Sequence, residues 1–159
     1  MLFPRDFLWE LLTYCEIIFT NEVERAEIER LFGITITDLM DIGRANIIVT
    51  TMGADGSICY SREDGKICSE KIPVCSIGAP VTDTTGSGDG FVSGFLYGHL
   101  KGMPVRECAM IGTVVSRFII EQEGCCTSAP DREQMEQRLE LFREILEEQE
   151  EQYNVQFIY

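Results

Sequence analysis

Apolar positions along the chain alternate between helical and extended spacing. After Pro4, which suits a first helical turn, Phe7, Leu8, Leu11 and Leu12 predict a helix over 5–14. The run 16–20, Glu-Ile-Ile-Phe-Thr, is short and β-branched, as a buried strand is. Asn21 is placed to cap a second helix running to Phe32. Val23, Ile28, Leu31 and Phe32 lie on or near one face, and Gly33 closes it. Thr37 is read as the cap of a short helix through Ile42, stopped by Gly43. Residues 46–52, Asn-Ile-Ile-Val-Thr-Thr-Met, form a strand that is apolar on both faces and belongs inside a covered sheet.

Two further strands, 57–61 and 66–72, flank Glu63-Asp64-Gly65-Lys66, a hairpin signal because glycine tolerates positive φ. A loop over 78–88 leads into a helix over 89–100. Gly102 and Pro104 separate that helix from a longer one, 105–123, closed by Gly124. Asp131 and Gln134 make a capping-box-like start to a last helix, striped by Met135, Leu139, Phe142 and Leu146. Its acidic end, 147–151, opposes the helix dipole and is expected to fray. The tail 156–159 reads as an edge strand or as disorder. With strands early and helices late, the order is α/β, and the sheet looks incomplete. Strand 16–20 is then expected to offer an unpaired apolar edge.

The length of 159 residues suggests one domain with at most a helical tail, and 45% hydrophobic residues suffice for a core. With 13 Lys+Arg against 27 Asp+Glu, the formal charge is −14. That balance argues against nucleic acid or an anionic membrane as partner. It does not argue against nucleotides, which local amides and Mg²⁺ hold. The seven cysteines lack zinc-site spacing, although Cys59 and Cys68 are placed to face each other across the hairpin. They are read as reduced thiols in a reducing cytosol. No stretch is apolar enough to span a bilayer. Asp6 and Glu10 stand where a signal peptide would be uncharged, so a cytoplasmic protein is expected.

The chemistry concentrates in Asp83-Thr-Thr-Gly-Ser-Gly-Asp-Gly-Phe91, a glycine-rich turn running into a helix N-terminus. Gly86, Ser87 and Gly88 can aim successive amides at one spot, where the helix dipole adds positive potential. The carboxylate of Asp89 beside such an anion hole makes sense as a general base acting on a hydroxyl. By composition alone, a ligand-free loop closed by Asp89 is an equally good reading. The turn is neither a Walker A loop, which needs a lysine after the glycines, nor a dinucleotide fingerprint, which needs a third glycine and a preceding strand.

This stretch resembles the C-terminal signature of the ribokinase-like (PfkB) carbohydrate and nucleoside kinases, D-T-x-G-[AS]-G-D-x-F, at every defined position. Asn21-Glu-Val-Glu24, after a strand, is similar to that family's N-x-x-E motif. Thr51-Met-Gly-Ala-Asp-Gly56 is similar to its T-x-G-x-x-G turn, and 124–130 to the loop that closes over the nucleotide. The resemblance implies that Asp89 is the general base and that Gly86, Ser87 and Gly88 hold the γ-phosphoryl group. It implies that Thr51, Gly53, Asp55 and Gly56 bind the nucleotide, and that Asn21 and Glu24 act on Mg²⁺ through water. Asp83, Thr85, Gly124 and Ser128 become candidates for a K⁺ site. As plainer readings, Asn21 is an N-cap and Asp55 a turn residue.

The resemblance runs from about residue 4 to 145 but covers only the C-terminal half of the family's domain. It therefore implies a partial three-layer ribokinase-like fold, with a mixed, mostly parallel sheet flanked by helices and no lid. Residues 1–150 would form the nucleotide-binding and catalytic half, and 151–159 a tail. The implied function is an ATP-dependent, Mg²⁺-using phosphotransferase acting on an alcohol of a sugar or nucleoside. The alternative is a non-catalytic nucleotide-binding or interaction module, either half of a split kinase or an inactive remnant. The implied partners are a nucleotide, a sugar or nucleoside, and either an N-terminal half or a second copy at the 16–20 edge.

Overall fold

A computed structural model describes residues 4–125 and 127–156 of the chain. Two compact units divide it, Met1–Val74 and Cys75–Tyr159.

The first unit is a sheet with helices. Its elements are α1 (Arg5–Tyr14), β1 (Ile17–Asn21), α2 (Glu22–Phe32), α3 (Ile36–Ile42), β2 (Ile47–Thr51), β3 (Ser57–Glu63) and β4 (Lys66–Ile72). The strands lie in chain order, with β1 and β2 parallel and the other two pairings antiparallel. A mixed sheet is therefore borne out, but a mostly parallel one is not. The tight Asp64-Gly65 turn (φ 48° and 79°) makes β4 return beside β3, and a two-residue connection permits only the antiparallel pairing.

Ile18, Ile48 and Tyr60 form one cross-strand row that packs with Leu8, Trp9 and Leu12 of α1, Ile28 and Phe32 of α2, and Ile36, Leu39 and Met40 of α3. Phe7, Leu11 and Val23, expected on packed faces, are exposed instead. Trp9 takes their place against Phe32, with ring centroids 4.8 Å apart. Thr35 rather than Thr37 caps α3. Its Oγ1 accepts from Asp38 N at 3.2 Å while Asp38 Oδ2 accepts from Thr35 N at 2.8 Å, a reciprocal box that Thr37 has no acid to complete. Cys59 stands opposite Glu70 and Cys68 opposite Ser61, so the two thiols do not face each other across the hairpin.

β1 and β4 are the two edges of the sheet. β4 carries Lys66, Glu70 and Lys71, the kind of charge that discourages further pairing. β1 reads Ile-Ile-Phe-Thr-Asn and carries none, so the expected uncharged edge is there.

The second unit holds α4 (Ser87–Leu100), α5 (Val105–Ile119) and α6 (Arg132–Gln156). α4 and α5 approach closely along glycines spaced every four residues. A Cβ at Gly90 would lie 2.8 Å from Ile119 Cγ1, at Gly94 2.8 Å from Ile111 O, and at Gly98 3.1 Å from Cys108 Cα. From α5, Gly112 meets Phe91 O in the same way at 2.7 Å. α6 buries Met135, Leu139, Phe142 and Leu146 as its stripe predicts. Its backbone stays helical through 147–151 to Gln156, where fraying was expected. The remaining tail residues, 157–159, lie outside the described residues.

α5 ends four residues earlier than its sequence pattern suggests, because its last carbonyls are taken from outside the helix. Ser128 Oγ donates to Phe118 O at 2.6 Å and Ile119 O at 3.2 Å, and Thr82 N donates to Ile120 O at 2.8 Å.

Candidate active site

α4 starts two residues before the expected Asp89, behind an N-cap that is Gly86. Its φ of 80° lies in the left-handed region, and a Cβ there would fall 2.7 Å from Cys125 Cβ and O. Conformation and close approach both demand glycine. Among the described residues, no side chain caps this helix. Ser87 N reaches Thr84 O at 3.2 Å and Gly90 N reaches Gly86 O at 2.9 Å. Among the described residues, the amides of Gly88 and Asp89 between them find no acceptor. A Cβ at Gly88 would meet nothing within 4 Å, so the helix end opens to solvent. Free amides and the positive end of the dipole together favour an anion here. Asp89, exposed in the first turn, sets a carboxylate beside them, with its carbonyl accepting from Ser93 Oγ at 2.7 Å.

Asp83 pins the start of the turn. Its Oδ1 accepts from Thr85 N at 2.9 Å and Thr85 Oγ1 at 2.7 Å, and its Oδ2 accepts from Gly124 N at 3.1 Å. These bonds to the charged form, the Thr85 amide first, hold the Asp83 carboxyl below the usual carboxylate range. The same bonds bring Asp83, Thr85 and Gly124 together. Ser128 is engaged elsewhere, on the carbonyls that end α5. Among the described residues, no group of three His, Cys, Asp or Glu side chains is arranged to hold a metal.

In the first unit, Asn21 and Thr51 are register partners at the C-terminal ends of the parallel pair β1–β2, where ligands of α/β sheets gather. Asn21 Oδ1 accepts from Glu24 N at 2.9 Å, and Glu24 Oε2 accepts from Asn21 N at 2.9 Å, a complete capping box. Direct metal coordination through those two oxygens would compete with the box for their lone pairs. Contact through water would not, and Mg²⁺ usually keeps several waters. After Thr51, a 3₁₀ turn over Gly53–Asp55 closes with Met52 N donating to Gly56 O at 2.8 Å and Asp55 N to Met52 O at 2.9 Å. Gly56 sits at φ 89°, where a Cβ would press within 2.1 Å of Ile72 O. Thr51 Oγ1 donates to Thr20 O at 3.4 Å, and Asp55 is exposed.

Sequence reasoning passed over Arg117, Glu121 and Arg138, which hold the segment leading into the Asp83 turn. Arg117 and Glu121 are four residues apart, but Arg138 and the segment 77–83 lie too far from them in the chain to form a motif. The four-residue spacing of Gly90, Gly94 and Gly98, by contrast, is a signal of close helix packing that can be read along the chain.

A helix end with open amides and a neighbouring carboxylate, in an α/β chain, defines a candidate phosphate-binding site. Residues 4–132 match the pfkB family of carbohydrate kinases, and the chain belongs to that family. It is 31% identical over 141 residues to the nucleoside kinase of Methanocaldococcus jannaschii, an alignment covering 89% of this chain and 44% of that one. The crystal structure of that kinase, described as an archaeal member of the ribokinase family, superposes with a TM-score of 0.78 over 87% of this chain, at 30% identity. The nucleoside kinase of Burkholderia thailandensis, solved in complex with ADP-inosine, gives a TM-score of 0.78 at 26% identity, covering 88% of this chain and 42% of that one. Adenosine kinase 1 of Arabidopsis thaliana is 32% identical over 136 residues, 77% of this chain and 38% of its own. The chain thus spans less than half the length of the relatives it matches.

Proposed function

We propose that this chain is the nucleotide-binding and catalytic part of an ATP-dependent kinase that phosphorylates an alcohol of a nucleoside or sugar. The observation that carries the reading is the uncapped start of α4, where the Gly88 and Asp89 amides are open and the Asp89 carboxylate stands beside them. Asp89 takes the proton from the acceptor hydroxyl, whose oxygen bonds to the γ-phosphorus. The bridging P–O bond breaks and ADP leaves with the electron pair. The open amides of Gly88 and Asp89 receive charge on the transferring group; Gly86 shapes the turn, and the Ser87 amide, held by Thr84 O, would join them only by giving up that partner. Such preorganised donors do much of the work in phosphoryl transfer. Thr51, Gly53, Asp55 and Gly56 bind the nucleotide. Bound Mg²⁺ would neutralise phosphate charge, and Asn21 and Glu24 would hold it through water, in keeping with their intact capping box. Asp83, Thr85 and Gly124 remain candidates for K⁺, and Ser128 would join them only by giving up its carbonyl partners.

The relatives named as nucleoside kinases favour a nucleoside acceptor. Residues 1–150 serve as the C-terminal catalytic half of a three-layer domain, with 151–159 as its tail and the cytosol as its setting. Initial rates with Mg²⁺-ATP over inosine, adenosine, cytidine, ribose and fructose 6-phosphate, for this chain and its Asp89→Asn variant, test the reading. Phosphorylation lost in the variant supports it, whereas equal rates remove Asp89 from the mechanism.

A second reading rests on the uncharged β1 edge and the partial coverage of the relatives. In it the chain binds nucleotide but turns over only with a further segment paired at β1. Calorimetric titration with Mg²⁺-ATP separates the two, since saturable binding without turnover favours the second.

A further inference from the structure

The segment 77–83 feeds the Asp83–Asp89 turn yet belongs to no helix or strand, so its backbone groups must find partners elsewhere. They find them along the end of α5. Arg117 donates through Nε to Ile77 O at 3.4 Å and through its terminal nitrogen to Ala79 O. Thr82 Oγ1 donates to Glu121 O at 3.1 Å, while the amides of Thr82 and Asp83 both reach Ile120 O.

Glu121 is held between two guanidinium groups. Arg138 meets its Oε1 at 2.5 Å and its Oε2 at 3.3 Å, and Arg117 Nε lies 3.8 Å from Oε1. All three side chains are largely buried, at 12–15% exposure. Arg138 is further fixed with its guanidinium 3.3 Å from the centre of the Phe118 ring. The loop backbone presses directly on this cluster, since a Cβ at Gly78 would fall 2.0 Å from Glu121 Oε1.

We propose that Arg117 is a positioning residue for the Asp83–Asp89 turn: anchored by Glu121, which Arg138 in turn holds, it tethers Ile77 and Ala79 and so sets where Asp83, Gly86 and the open end of α4 stand. The proposal deepens the kinase reading, since that turn is the phosphate site it invokes. A buried ion cluster adds little net stability, because desolvation offsets the attraction between its charges. What it supplies here is a defined geometry for a loop with no ladder of its own. Arg117 is the member that can be removed with least damage, because Glu121 keeps Arg138. Lysine is no substitute, having one point charge where two carbonyls are held.

The test compares the full chain with Arg117→Ala and Arg117→Lys by hydrogen exchange and by Mg²⁺-ATP titration. Both variants should exchange the amides of Thr82, Asp83 and Thr85 about tenfold faster, roughly the loss of one hydrogen bond's net contribution. Amides in the middle of α4 and α5 should keep their rates. ATP affinity should fall by a similar factor, and millimolar guanidinium should restore it in Arg117→Ala but not in Arg117→Lys, where the ammonium fills the site. Unchanged exchange at 82–85, or exchange accelerated throughout the unit, overturns the proposal. Local acceleration with unchanged ATP affinity overturns it as well, leaving Arg117 a structural residue only. Should the unmodified chain bind no ATP, the kinase reading fails, and local exchange with its guanidinium rescue alone decides whether Arg117 sets the turn.

Discussion

The helices α2 and α4 begin in opposite ways. Both carry an acid in the first turn, Glu24 in one and Asp89 in the other. At α2 the acid folds back onto the Asn21 amide while Asn21 caps the Glu24 amide, so the helix satisfies its own end. At α4 the cap is a glycine with no side chain to offer, the acid points to solvent, and two amides are left open. The lack of a side-chain cap alone does not mark a site, since α1 and α5 also lack one, behind Pro4 and Pro104. What distinguishes α4 is that its cap is held open by neighbours. Asp83 fixes the turn before it, and Cys125 packs where any side chain at 86 would go. A helix that closes its own end gains stability there. One whose end is held open from outside keeps its amides available to an anion.

The largest expected effect lies on the open side. Asp89→Asn should cut phosphoryl transfer by about 10²–10⁴-fold while leaving the melting temperature nearly unchanged, as initial rates and thermal unfolding would show. Gly86→Ala comes next. Left-handed backbone strain and the clash with Cys125 should together destabilise by about 2 kcal/mol or more, read by urea denaturation, with nucleotide binding lost. The same chemistry behaves differently at α2, where Asn21→Ala should cost about 1 kcal/mol and Asn21→Gly only a few tenths. A glycine welcome at the α2 cap and an alanine rejected at the α4 cap would sharpen the contrast. Equal losses at the two caps would break it.

Gly88→Asp should separate stability from binding. A carboxylate at the helix start should stabilise by about 0.3–1 kcal/mol through the dipole, yet occupy the place of a phosphate and abolish ATP binding by calorimetry. A variant that still binds ATP would show that the open amides are idle.

The smallest effect is on pH dependence. Asp83 is held below its ordinary range by the Thr85 and Gly124 donors. Its contribution is therefore fully present above the unfolded aspartate range and lost as pH falls through the lowered folded value. Asp38, lowered by the Thr35 amide in the α3 box, has the same sign. Exchange at Thr85 and Gly124, corrected for intrinsic rates, should accelerate under acid and lose that dependence in Asp83→Asn.

Much of this was readable along the chain because the information is local. β2 is apolar at successive positions and proved buried on both faces. The boxes at Asn21–Glu24 and Asp131–Gln134 depend on residues three apart, and both formed. Thr35 and Asp38 have that same spacing, so the misplaced cap at Thr37 was a missed local signal rather than a hidden one. The early end of α5 was hidden. Its hydrophobic pattern runs on, and only Thr82 and Ser128, arriving from distant stretches, claim the carbonyls that would have extended it.

By itself the sequence determined the helices and strands, the hairpin at Asp64-Gly65 and the glycine turn that starts α4, because periodicity, capping and positive φ act within a few residues. Tertiary structure decided how that turn is held. Cys125 and Gly124 reach it across some forty positions, and Arg117 of α5, Glu121 just beyond that helix and Arg138 of α6 converge on the segment before it. Hydrogen-bond donors and charges so far apart in the chain have no common pattern until the folded backbone brings them within about 3 Å, the range over which such bonds act.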